Sequence, residues 1–186
     1  MSEELSMALV ELKRDEVVEA VKSRAEKGEY FLAELLLSAE IFKGAVAILE
    51  PYLAKAHPPK PLGKVVLATL RGDIHDLGKN IVATLLQARG FEVHDLGVDV
   101  PPSLVVEKVK EIRPEFVGFS VLITTAFASM KEAAEMLKET GLREQLKLMI
   151  GGGVTTPVVR EYVGADFQTL DAMEGVAYCM KVVGGK

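Results

Sequence analysis

Cysteine is nearly absent from this chain of 186 residues: Cys179 is the only one. That excludes an intramolecular disulfide and a metal site built from thiolates, and it points to a reducing, cytoplasmic compartment. Histidine is scarce too, at three residues: His57, His75 and His94. A metal held by protein atoms alone needs three or more ligands, and His57 and His94 fall in a linker and in mid-strand. Basic residues are not in excess, with 22 Lys and Arg against 27 Asp and Glu and a net charge of −5. No basic stripe runs along the chain, so nucleic acid is not an expected partner. Long apolar runs are missing as well. The longest uncharged stretch, 116–130, is shorter than the ~18 residues of a membrane span, and no membrane association is expected. Met1 is followed by Glu3 and Glu4, so no secretory leader is expected.

What is present supports a sizeable core. Apolar residues make up 49% of the chain and mean hydropathy is +0.22, enough for one or two domains. Residues 3–56 carry helical periodicity. Leu32, Leu35, Leu36, Ala39, Phe42, Val46 and Leu49 form one apolar row, and Leu37, Ile41, Ala45 and Ile48 widen it. A helix apolar over so broad an arc must be buried on more than one side. The run His57-Pro58-Pro59-Lys60-Pro61-Leu62-Gly63 is stiff and extended. Three segments are therefore expected: a short all-α segment over 1–57, a Pro-rich linker over 58–63, and an α/β domain over 64–186. In the last, strands are predicted near 65–70, 91–95, 115–121, 147–150 and 166–169. Helices are predicted near 79–89, 102–113, 126–140, 156–163 and 171–183. This alternation implies a parallel sheet with right-handed crossovers. Five units suggest a flavodoxin-like sheet of order 2-1-3-4-5, whose switch point lies between strands 1 and 3.

The loop after the first strand reads Arg71-Gly72-Asp73-Ile74-His75-Asp76-Leu77-Gly78-Lys79. A lone Asp-x-His is more often a cap beside a surface histidine. At the switch point, with Gly78 letting the backbone come close to a ligand, the pair is better read as a metal-ligating His75 whose second nitrogen is held by Asp73. The loop after the third strand carries Ser120, Leu122 and Thr124, undistinguished residues except for their place. The loop after the fourth carries Gly151-Gly152-Gly153. A glycine run there is by itself an ordinary strand-to-helix turn, yet it also lets a bulky ligand lie flat on the backbone. No Gly-Lys-Ser/Thr follows it, so it is not a phosphate loop.

Together these pieces resemble the cobalamin (vitamin B12)-binding corrinoid proteins of methyltransferase systems, and the cobalamin-binding module of cobalamin-dependent methionine synthase. The resemblance is carried by Asp73-Ile74-His75-Asp76-Leu77-Gly78, then Ser120-Val121-Leu122, then Gly151-Gly152. Gly78-Lys79-Asn80, Asp95-Leu96-Gly97-Val98-Asp99-Val100-Pro101 and Gly164-Ala165-Asp166 support it. Upstream, Gly28 to Ala39, with Tyr30-Phe31-Leu32, looks like the last helix of that family's helical cap. Three departures stand out: Gln168 where a Tyr is frequent, Ala33 where a Pro is usual, and only 29 residues before Tyr30.

The resemblance implies a Rossmann-like cobalamin domain preceded by a truncated cap. It implies that the cofactor's own lower base leaves the cobalt for a slot in the sheet domain and that His75 replaces it. Asp73 would hold His75, and Ser120 would hold Asp73, forming a relay. Ile74, Asp76, Gly78, Lys79, Leu122, Thr124, Gly151, Gly152 and Gly153 are the expected cofactor contacts, with Phe31 and Leu35 from the cap. The cofactor would be methylcobalamin or hydroxocobalamin, and the chain a methyl carrier rather than a complete enzyme. Its partners would be a substrate-specific methyltransferase and a second one serving an acceptor. The shortness of the cap implies a homodimer through the helical segment. The small subunit of an adenosylcobalamin mutase and a cobalamin-binding sensor module are the alternative readings.

Overall fold

The computed structural model describes residues 61–185. The expected helical segment 1–57, the first half of the linker, and the candidates Phe31, Leu35 and His57 lie outside the described residues. From Lys64 the chain alternates strand and helix: β1 (Lys64–Thr69), α1 (Leu77–Ala88), β2 (Glu92–Asp95), α2 (Pro102–Ile112), β3 (Phe116–Ser120), α3 (Phe127–Glu139), β4 (Lys147–Gly151), α4 (Pro157–Val163), β5 (Phe167–Thr169) and α5 (Ala172–Gly184). All strand pairs are parallel, in the order β2-β1-β3-β4-β5. This is the flavodoxin-like arrangement that the element spacing predicts.

Alternation along the strands divides the core between two faces. Val66, Ala68, Val117, Phe119, Leu148 and Ile150 point toward α2, α3 and α4, where Val105, Val109, Met130, Leu137 and Val163 meet them. Val65, Leu67, Phe116 and Met149 point the other way, onto Ala83 and Leu86 of α1 and Val176 and Cys179 of α5. Strands covered on both faces read as near-continuous apolar runs, as Val65-Val66-Leu67-Ala68 does. Pro102 and Pro157 each open a helix, where a missing N–H costs nothing. Thr156 caps α4 and Asp171 caps α5 through their side chains. The consequence for function is positional. The ends of β1, β3 and β4 lie side by side, so their loops share one edge of the sheet.

Candidate functional site

At that edge Asp73 is buried, 1% exposed, while the His75 side chain is half exposed. The imidazole Nδ1 of His75 donates to Asp73 Oδ1 at 2.7 Å, and the His75 amide donates to the same oxygen at 2.9 Å. Asp73 Oδ2 accepts from the amides of Leu122 at 2.7 Å and Ile123 at 3.3 Å. The loop after β3 thus grips the carboxylate that holds the histidine. Burial works against the charged Asp73 and is the largest single influence. The hydrogen bonds from Leu122, His75 and Ile123 together outweigh it and hold this carboxyl below the ordinary carboxylate value. An ionised carboxylate only accepts, so the imidazole proton sits on Nδ1, leaving Nε2 as the ring nitrogen that faces a ligand.

The loop is braced from outside the motif. Thr69 Oγ1 donates to the His75 carbonyl at 3.1 Å. Asp99, in the left-handed region at φ 52°, accepts from the Gly72 amide at 2.8 Å and donates its own amide to the Asp73 carbonyl at 3.0 Å. Neither residue is singled out by the motif reading. A β-branched strand end and a loop Asp are too common to signal such roles.

Beside the loop, between α1 and α5, a slot of about 230 Å³ opens onto the sheet. Its floor is formed by Leu67, Gly118, Met149 and Phe167, its rim by Ser120, Gly151 and Thr169, and its walls include Gly78, Val82 and Gly175. A side chain at Gly78 would meet nothing within 4 Å, and one at Gly175 would make only ordinary contact, at 3.7 Å from Thr169. The wall is therefore open at Gly78. Gly118 lies mid-strand, and glycine in a strand marks a close approach. That signal could have located the floor from the sequence.

Ser120 sits on the slot rim, and Asp73 Oδ2 accepts from the two backbone amides of the same loop. In this structure the contact between that loop and the carboxylate is made by backbone, and the side-chain relay through Ser120 stays a proposal. Lys79 is buried in the slot wall, but its ammonium is taken by Asp95 and by Asn80 at 3.1 Å. Asp76 Oδ2 accepts from Asn80 at 3.1 Å. Ile74 is 70% and Leu122 45% exposed, an apolar pair flanking the histidine. Thr124 opens a short 3-10 turn and does not line the slot. Gly151 and Gly152 line it and Gly153 lies against Leu122. The reason Gly152 must be glycine differs from a ligand lying on it: at φ 112° its Cβ would stand 2.0 Å from the Val121 carbonyl oxygen. His94 pairs with Glu92 at 2.7 Å, away from this edge. Cys179 is buried, its thiol pushed up to about 12 by burial. Among the described residues no group of three or more His, Cys, Asp or Glu could hold a metal ion. Nor is any helix among them long and apolar enough to cross a membrane.

Comparison with known proteins gives concordant findings. The B12 binding domain matches residues 63–177. Dimethylamine corrinoid protein 2 of Methanosarcina acetivorans is 36% identical over 208 aligned positions, covering 99% of this chain and 96% of the relative. That alignment is longer than the 186 residues here, so the relative has residues within the aligned region that this chain lacks. Among solved structures, the Methanosarcina barkeri monomethylamine corrinoid protein matches with a TM-score of 0.72 at 30% identity, covering 96% of this chain and 88% of that one. The methanol:cobalamin methyltransferase complex MtaBC of the same organism matches with a TM-score of 0.65 at 25% identity, covering 98% and 79%.

Proposed function

The chain belongs to the B12-binding domain family, and from that premise we propose that it is a corrinoid methyl carrier in which His75 would hold the cobalt of cobalamin. The observation that carries this reading is a buried carboxylate at 2.7 Å from Nδ1 of a half-exposed histidine, beside an apolar slot of about 230 Å³. The residues fit the group on two counts. One imidazole nitrogen is oriented and left for a metal that the protein does not otherwise ligate. The slot has the open glycine wall and apolar floor that a displaced aromatic base needs. The neighbouring methyltransferase systems support the carrier role, since MtaBC is a methanol:cobalamin methyltransferase complex.

When bound, cobalamin supplies a cobalt centre that accepts and releases a methyl group. The chain's own contribution begins at Asp73. Its negative charge, held ionised by Leu122, His75 and Ile123, favours a proton on His75 Nδ1 and makes Nε2 a better donor. Both carboxylate oxygens are occupied by donors. The Leu122 and Ile123 amides cannot pass a proton on, so the hydrogen-bonded chain that starts at His75 ends at these backbone donors. Ile74 and Leu122 are exposed apolar side chains on the two loops that carry the histidine and its carboxylate's donors, and the slot offers apolar lining to whatever enters it.

Several finer points belong to the same reading. The methyl donor is a methylated amine, by likeness to the dimethylamine corrinoid proteins. The partners are a substrate-specific methyltransferase and a second one serving an acceptor, and the setting is cytoplasmic. The two apolar rows of residues 31–56 pair with a second copy. Axial ligation is tested by His75→Ala. Its bound Co(III) cobalamin should show a visible spectrum without imidazole ligation and leave the protein faster on dialysis. An unchanged spectrum would remove His75 from the cobalt.

A further inference from the structure

Strand register lays two rows of residues across the slot. Ser120, Gly151 and Thr169 are paired neighbours at the rim, and one step deeper on the same face lie Leu67, Gly118, Met149 and Phe167. The rim is hydroxyl and glycine; the deeper row is apolar throughout. Phe167 is stacked on Tyr178 of α5 with centroids 4.3 Å apart and planes 6° from parallel, which fixes its ring as a wall. No buried side-chain nitrogen or oxygen among the described residues lacks a partner. Lys79, the charged group buried in the wall, is committed to Asp95 and Asn80. The strand backbone is committed to the sheet ladders. A polar atom carried past the rim would lose water and gain no partner.

We propose that this slot selects among cobamides by the lower base they carry, admitting a benzimidazole or a simple phenol and rejecting a purine such as adenine. This rests on the cobalamin reading above and adds the class of cofactor to it. Adenine brings an exocyclic amine and several ring nitrogens, against the single free ring nitrogen of a displaced benzimidazole, and each would be left unpaired in the deeper row. A phenolic base brings no polar atom beyond its linking oxygen. An uncompensated buried polar group weakens binding by about tenfold, so the purine form should bind at least ~10-fold more weakly.

The test uses the full chain and three cobamides with dimethylbenzimidazole, adenine or p-cresol as lower base, followed by visible absorbance and equilibrium dialysis. The phenolic base cannot ligate cobalt and adenine does so weakly, so comparing these two removes the cost of detaching the base. The adenine form should dissociate at least ~10-fold more readily than the p-cresol form. Met149→Gln, which gives the floor a donor and an acceptor, should narrow that ratio. Equal affinity of the two forms for the unaltered protein would overturn the proposal and leave the cofactor reading intact. Failure of all three to be retained would overturn the cofactor reading itself, and the selectivity with it.

Discussion

Asp73 is the residue on which the site turns. It is buried and accepts four hydrogen bonds, two from His75 and one each from Leu122 and Ile123. Asp73→Asn keeps the shape but loses the charge and forces an amide NH2 toward donors. We expect cofactor affinity to fall ~10–100-fold, the scale for a group behind a metal ligand. The same substitution has a pH signature in the cofactor-free protein. The folded carboxyl is held below its ordinary value of 3.8, so the folded state binds that proton less readily than the unfolded chain. The stabilisation is complete above the unfolded value and is lost as pH falls through the folded one. Urea midpoints should therefore separate wild type from Asp73→Asn at about pH 7 and draw together as pH falls through the folded value. A separation that persists undiminished in acid would mean that the charge is not what stabilises the loop.

Among the elements, the glycine just past β4 and the one inside α5 do opposite work. Gly152 is held at φ 112° with the Val121 carbonyl where a Cβ would go. Gly152→Ala should lower the stability of the cofactor-free protein by ~1–3 kcal/mol or more, because the strain and the clash both fall on backbone. Gly175, inside α5, has ordinary room for a methyl, and that methyl would enter the slot wall. Gly175→Ala should stabilise the cofactor-free protein by up to ~1 kcal/mol through helix propensity while weakening cofactor retention. Thermal melts without cofactor and dialysis with it read the two effects separately. A melt of Gly152→Ala like wild type would contradict the backbone explanation, and tighter retention by Gly175→Ala would contradict the slot. The order of the elements is legible in the sequence because the apolar runs of β1, β3 and β4 are bounded by turn residues and spaced by helical repeats. Even β5, three residues long, is announced by Gly164 and followed by Asp171, the cap of α5. The Asp73–His75 pair is legible because both partners sit two residues apart on one loop. The grip of Leu122 and Ile123 is not, since backbone amides leave no mark on residue type. Gln168 bonds Thr155 Oγ1 at 3.1 Å across to the glycine loop, a contact that depends on where two distant segments meet.

For the molecule as a whole, the sheet domain gathers one ligating nitrogen, one buried charge and one slot on a single edge, and the apolar rows of residues 31–56 call for a cover. We expect a homodimer through those rows in light scattering on the purified protein, two-fold pairs being the commonest oligomers; Leu36→Asp or Phe42→Asp should split it. A clean monomer would assign those rows to a methyltransferase instead. The central claim, that a protein nitrogen and not the cofactor's own base ligates cobalt, is tested most directly by electron paramagnetic resonance. The protein is grown with 15N-histidine and loaded with Co(II) cobalamin of natural isotopic content. If His75 is the axial ligand, the nitrogen superhyperfine splitting changes from the triplets of 14N to the doublets of 15N. Triplets that persist in the labelled protein would mean that the lower base is still on the metal, and would contradict the account.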